Sequence, residues 1–162
     1  MKVIKSPNVY SSLPIHDKKI IFLAGSIEMG KAENWQEEII EVLKESQLNI
    51  ENTIDLNPRR KDWDFSWNQS IKNSNFREQV EWELTGIFDA NLVIFYFDPN
   101  TQSPITLMEL GYVVEKHEQV IVCCPNEYYR KGNVEIFCEY NNIHLTHTKE
   151  DLFKYLKTAE WK

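Results

Sequence analysis

The chain has 162 residues, 42% hydrophobic and 27% charged, a composition that suits one soluble globular domain with a real core. Its formal net charge of -7 excludes the basic footprint that long nucleic acid demands, but not mononucleotides, which need only a few donors. There is no apolar signal-peptide core near the start, no membrane-spanning run and no Cys/His zinc spacing; Cys123, Cys124 and Cys138 read as reduced buried thiols, so a cytoplasmic protein without a metal or cofactor is expected.

Residues 1–17 form a polar lead with Pro7 and Pro14, and a single domain is expected over 18–162. KKIIFLAG (18–25) reads as a buried strand ending in glycine. AENWQEEIIEVLKES (32–46) reads as a helix, with Trp35, Ile39, Ile40, Val42 and Leu43 near a 3.6-residue period. NIENTIDL (49–56) is a weaker strand ended by Asn57-Pro58, and a polar, Trp-rich loop follows over 59–74. Asn75 and Glu78 have the spacing of a capping box opening a helix over 76–90. LVIFYF (92–97) is the clearest strand, and DPNTQ is a loop. Ser103 and Pro104 read as N-cap and first residue of a helix that ends near His117. QVIVCC (119–124) is a strand, NVEIFCEYNN (133–142) a helix, IHLTH (143–147) a short strand and KEDLFKYLKT (149–158) a last helix.

This alternation predicts an α/β fold: a five-stranded, mainly parallel sheet in a three-layer α/β/α sandwich of the flavodoxin or Rossmann kind. Such sheets bind ligands outside the carboxyl ends of their strands. Those ends are Gly25-Ser26, Asn57–Arg59, Asp98–Asn100 and Pro125-Asn126.

Two carboxylates lie on apolar faces. On helix 76–90 the stripe is Phe76, Val80, Leu84 and Ile87, and Glu83 points with it. On the helix after Asp98, Glu109 shares a face with Ile105, Tyr112 and Val113. Singly, either acid reads as a side chain that reaches water or pairs with an arginine. Together, on helices flanking one central strand, they suit chemistry through an oxocarbenium-like centre, as in glycoside cleavage. Periodicity says nothing of the leaving group.

FLAGSI (22–27), ELTGIFDAN (83–91) and SPITLMELG (103–111), with NPRRKDWDFSW (57–67), NFREQVEWEL (75–84), YFDPNTQSPI (96–105) and CCPNEYYRKGNVE (123–135), resemble the nucleoside 2-deoxyribosyltransferase family and its relatives, the 5′-monophosphate nucleotide N-glycosidases. The resemblance spans about residues 18–140 and rests on the order and spacing of these segments. It implies that Glu109 is a nucleophile attacking C1′ of the sugar. It implies that Glu83, where the family usually has Asp, is the general acid. It implies that Asn133 enters a neighbouring subunit's site in a homo-oligomer. Substrates would be a small nucleoside or nucleotide and a nucleobase, with neither a nucleic acid polymer nor a membrane as partner.

Other candidate substrate contacts each carry a plainer reading. Gly25 and Ser26 form a turn suited to a phosphate or base, or an ordinary cap. Ser103 is a phosphate contact in the N-glycosidases, or a cap for Pro104. Arg59 and Arg60 are phosphate donors or surface arginines. Asp98 orients a loop or touches the sugar. Trp63 and Trp67 stack on a base or on their own loop. Two departures stand out: Ile20-Ile21-Phe22 lacks the family's first-strand Tyr, and Glu28-Met29-Gly30 replaces a basic, Gly-rich continuation. Transfer between bases is the expected reaction, with nucleotide hydrolysis, another N-riboside as substrate and a non-catalytic nucleotide-binding module as alternatives. GSIEMGK is a poor flavin phosphate loop, a P-loop motif is missing, and His16, His117, His144 and His147 lack ligand spacing.

Overall fold

A computed structural model describes residues 1–10, 17–28, 31–46, 50–114 and 119–159. His16, His117, Met29 and Gly30 lie outside the described residues. The strands are β1 (Lys2–Lys5), β2 (Lys19–Gly25), β3 (Thr53–Asn57), β4 (Leu92–Tyr96), β5 (Val120–Cys123) and β6 (His144–Thr146). The helices are α1 (Trp35–Lys44), α2 (Ser74–Asp89), α3 (Pro104–Val113), α4 (Lys131–Tyr140) and α5 (Lys149–Thr158). All pairings are parallel, in the order β1-β3-β2-β4-β5-β6.

Among the described residues the sheet therefore has six strands, not five. The extra one is KVIK, inside the stretch read as a polar lead, and it adds to β3 with Val3 opposite Asp55. Four residues flanked by lysines carry little periodic signal, and lysine on a short strand is how sheet edges are commonly protected.

Strand alternation divides the core between two faces. Ile20, Phe22, Leu56, Val93 and Phe95 face α2, α3 and α4. Ile21, Leu23, Ile94 and Tyr96 face α1 and α5. Burial on both faces explains why the central strands read as continuous apolar runs.

On α2 the buried residues are Gln79, Trp82, Gly86 and Ile87, while Leu84 is exposed. The inward face is thus rotated from the predicted stripe. Trp82 packs on Phe22 and Tyr10, and a side chain at Gly86 would come within 2.7 Å of the Phe22 ring. Gly86 lets α2 approach β2 closely, which sets where Glu83 sits one turn earlier. The cap of α2 is Asn73, whose side chain accepts from Phe76 N, in place of Asn75. α4 starts at Lys131, two residues before the predicted helix start at Asn133.

Candidate active site

The chain leaves β2 for β3 on one side and returns to β4 on the other, so the topological switch point lies between the carboxyl ends of β2 and β4. Gly25, with φ +149°, closes β2 against β4; a Cβ there would collide with the Tyr96 carbonyl oxygen. Ser26 follows and is buried. Its Oγ accepts from Asp98 N at 2.9 Å and from Thr101 Oγ1 at 3.0 Å, and shares a 2.5 Å hydrogen bond with Ser103 Oγ. Thr101 and Ser103 share another at 2.6 Å, and Thr101 Oγ1 also lies 2.9 Å from the Asp98 carbonyl. The three hydroxyls thus form a closed knot that ties β2 to the loop before α3.

Asp98 works as a clamp beside that knot. One carboxylate oxygen accepts from Asn100 N (2.8 Å) and Nδ2 (3.1 Å), the other from Glu33 N (3.0 Å). A cavity of about 510 Å³, lined by Lys31, Glu33, Tyr96, Asp98 and Asn100 among others, opens on the α1 side of β4. Its size suits a small molecule. The two glutamates are on the other face of the sheet, so the cavity is the α1-side flank of the switch point, not the acid pair itself.

Glu109 on α3 is buried, with 8% of its surface exposed, and Glu83 on α2 is half-buried. Burial pushes Glu83 up to about 7 against a hydrogen bond from Gln79 that favours its charged form. Burial raises Glu109 well above the usual carboxylate range, and the charge of Glu83 raises it further. The two acids therefore feel each other and titrate as a pair, which at neutral pH retains a proton.

Gln79 was not singled out by sequence. Its Nε2 donates to Glu83 Oε1 at 2.8 Å and to the Pro58 carbonyl at 2.9 Å, while its Oε1 accepts from Ser6 Oγ at 2.5 Å. Its amide is spanned on three sides, so the Glu83 carboxyl is held by a rigid donor. The available signal was position: Gln79 sits one turn before Glu83, on the same helix face.

Other predicted residues are placed differently. Arg59 donates to Gln36 Oε1 (3.1 Å) and to the Glu33 carbonyl (2.7 Å), which fastens the β3 end to α1. Arg60 pairs with Asp62 and Glu78 and lies over Trp67. Trp63 packs on Trp67, with ring centroids 5.1 Å apart and planes tilted by 59°, so the two pack within their own loop. Asn133 is exposed on α4. Among the described residues no group of His, Cys, Asp and Glu could hold a metal ion, and no helix is long and apolar enough to cross a membrane.

The molecule is thus a doubly wound α/β protein with paired acids on the helices flanking its switch point. A model of the nucleoside 2-deoxyribosyltransferase-like family matches residues 18–128, and the chain belongs to that family. Its fold is similar to that of a conserved protein from Enterococcus faecalis V583, known from a crystal structure, at a TM-score of 0.55 and 15% identity, covering 86% of this chain and 98% of that one. No curated protein matches.

Proposed function

We propose that the protein cleaves the N-glycosidic bond of 2-deoxyribonucleosides and transfers the deoxyribosyl group to a second nucleobase. The observation that carries this reading is the placement of two carboxylates, Glu83 on α2 and buried Glu109 on α3, on one face of the sheet, where the charge of Glu83 raises Glu109. A Glu109 carboxylate oxygen attacks C1′, and the C1′–N bond breaks with its electron pair going to the base. Glu83 gives that base nitrogen a proton. In the second half, an acceptor base nitrogen attacks C1′, its proton returns to Glu83, and Glu109 leaves as carboxylate.

The proton balance fits the pair. Attack needs Glu109 charged and Glu83 neutral, whereas in the free protein Gln79 favours charge on Glu83. The proton retained by the pair therefore has to shift from Glu109 to Glu83 as substrate enters. That one shift creates both nucleophile and acid.

A homo-oligomer belongs to this reading. Asn133 shares an exposed stripe of α4 with Ile136 and Tyr140, and Phe88 and Ile105 are exposed on α2 and α3 of the same layer. A second copy of the chain covering this face would carry Asn133 toward its neighbour's crevice. Sedimentation should then show an oligomer, and Asn133→Ala should weaken substrate binding without releasing subunits; a monomer at micromolar concentration would remove this part.

The reaction is tested by products. The protein is incubated with deoxynucleosides and their monophosphates, with and without a second base, and products are separated. A new nucleoside that needs the acceptor supports transfer. Free base and deoxyribose phosphate without an acceptor would favour nucleotide hydrolysis. No product from any substrate would leave a binding module.

A further inference from the structure

Five buried side-chain polar atoms among the described residues have no hydrogen-bond partner. One is the Trp63 indole nitrogen. The other four belong to three fully buried residues: Gln36 Nε2, Asn57 Nδ2 and both carboxylate oxygens of Asp55. A polar group that gives up its hydration needs a partner inside the protein, and nearly all buried ones have one.

The fold gathers these three residues under α1. Asp55 and Asn57 stand two apart on β3, so both side chains leave the sheet on one face. Ile54 and Leu56 belong to the core on the α2 side, which leaves the α1 side for Asp55 and Asn57. Ile21 lies opposite Asp55 on β2 and packs in the same core as Trp35 and Ile39 of α1. Gln36 comes from α1 itself. Arg59 joins the two carboxamides: its backbone N donates to Asn57 Oδ1 at 2.9 Å and its Nε to Gln36 Oε1 at 3.1 Å. Arginine only donates, so both amide oxygens face Arg59 and both NH2 groups are left over. Val3 and Ile21 flank Asp55 on the neighbouring strands, and neither side chain can bond it.

Burial pushes Asp55 up to about 8, so at neutral pH it keeps its proton. The cluster then offers spare N–H and O–H donors and a carbonyl acceptor, and no two of these groups bond each other. That chemistry selects the ligand. An ion of either sign would lose its hydration here, and the nearby cations are committed, Arg59 to Gln36 and backbone carbonyls and Lys5 to Glu37. A neutral molecule that both donates and accepts meets every group, and full burial admits the smallest one, water. Its oxygen accepts two of the spare hydrogens, and one of its own reaches the Asp55 carbonyl oxygen. We infer that Gln36, Asp55 and Asn57 form a buried water-binding site beneath Arg59. The water completes a brace. Arg59 Nη2 donates to the carbonyls of Ala32 (3.4 Å) and Glu33 (2.7 Å), in the loop that lines the α1-side cavity. The site thereby holds the start of α1 to the end of β3, whatever reaction the acid pair carries out.

Relaxation dispersion of the water oxygen nucleus, measured on the whole protein, counts long-lived internal waters and is blind to proton exchange. Asp55→Leu replaces the carboxyl by an apolar side chain of similar size and should lower that count by about one water per chain. An equal count in a folded Asp55→Leu overturns the inference. Crystals of the wild type grown without halide give a second reading. Water density within hydrogen-bond distance of Gln36 Nε2, Asn57 Nδ2 and the Asp55 carboxyl sustains the site. Either carboxamide bonded directly to Asp55, with no water between, overturns it. If Asp55→Leu fails to fold, the wild-type crystal decides alone.

Discussion

The molecule buries carboxylates on both faces of its sheet, and the two places differ in what surrounds them. On the α2–α3 face, Glu83 and Glu109 feel each other, Glu83 has a donor in Gln79, and both retain some surface. On the α1 face, Asp55 sits mid-strand with 0% exposure, and neither carboxylate oxygen has a hydrogen-bond partner. Burial pushes Asp55 up to about 8, with only Lys5 acting the other way. A buried acid alone is therefore no sign of chemistry. What separates the two regions is coupling and a fixed donor.

The largest test of that contrast is removal of the nucleophile. Glu109→Gln should lower kcat/KM for transfer by ~10³ or more, because loss of a covalent nucleophile typically costs that much. Mass spectrometry should also lose the glycosyl adduct. Asp55→Asn, by contrast, should leave the adduct in place. Glu83→Gln should slow poor leaving groups most, since good ones need no proton; equal slowing across bases would remove its role as acid.

Stability separates the regions next. Asp55 has a folded-state pKa above its unfolded value, so the native state holds the proton more tightly. Stability is then greatest below about 4 and falls as pH rises toward about 8, by roughly 1.4 kcal/mol per unit. Asp55→Asn should flatten that slope and unfold at higher denaturant than wild type at pH 8. Glu83, raised to about 7, and Glu109, also raised, have the same sign and keep their own pH dependence in the variant. Urea titrations at pH 5 and pH 8 measure the difference; equal pH dependence in both proteins would refute the lone-acid reading of Asp55.

The contrast also shows what the sequence could reveal. The sheet, its central strands and both glutamates follow from period and order, because runs such as IIFLA and LVIFY are buried on two faces. Glu109 stands out as a carboxylate inside an apolar helix. Glu83 was found on a stripe that proved rotated; Leu84 points outward because Trp82 and Gly86 decide which face of α2 meets Phe22. The roles of Ser26, Ser103 and Arg59 were not legible, since a hydroxyl or guanidinium looks alike whether it meets ligand or protein. Gln79 had a local signal in its place one turn before Glu83, but its tie to Ser6 and the tie of Glu28 to Ser103 span 73 and 75 residues. No local pattern encodes those, nor the pairing of β1 with β3.

A subtler effect belongs to Gln79, which positions Glu83. The charge of Glu83 on α2 raises Glu109 on α3, and the polar partner of Glu83 is Gln79, itself anchored to the Pro58 carbonyl after β3. Gln79→Leu removes a donor that favours the charged form, so the Glu83 pKa should rise. Activity that requires a protonated acid should then persist to higher pH, with the alkaline limb of kcat/KM moving up. Gln79→Glu, a donor when protonated, should restore part of the rate at low pH only. A lower rate with an unmoved limb would mean that Gln79 serves packing alone.

Ser6 should show the smallest effect, and its direction matters more than its size. It follows β1, outside the family-matched residues 18–128, yet its hydroxyl donates to Gln79 Oε1. The Pro58 carbonyl and the Glu83 carboxylate, which only accept, set which end of the Gln79 amide faces Glu83, and the Ser6 hydroxyl anchors the other end. Ser6→Ala loosens the amide without removing it. With such a bond worth roughly 1 kcal/mol net, and acting at second hand, the alkaline limb should move up by less than about half a pH unit. The shift should vanish in a Gln79→Leu background, where the relay no longer exists. An equal shift in both backgrounds would mean that β1 influences the acid by some route other than Gln79.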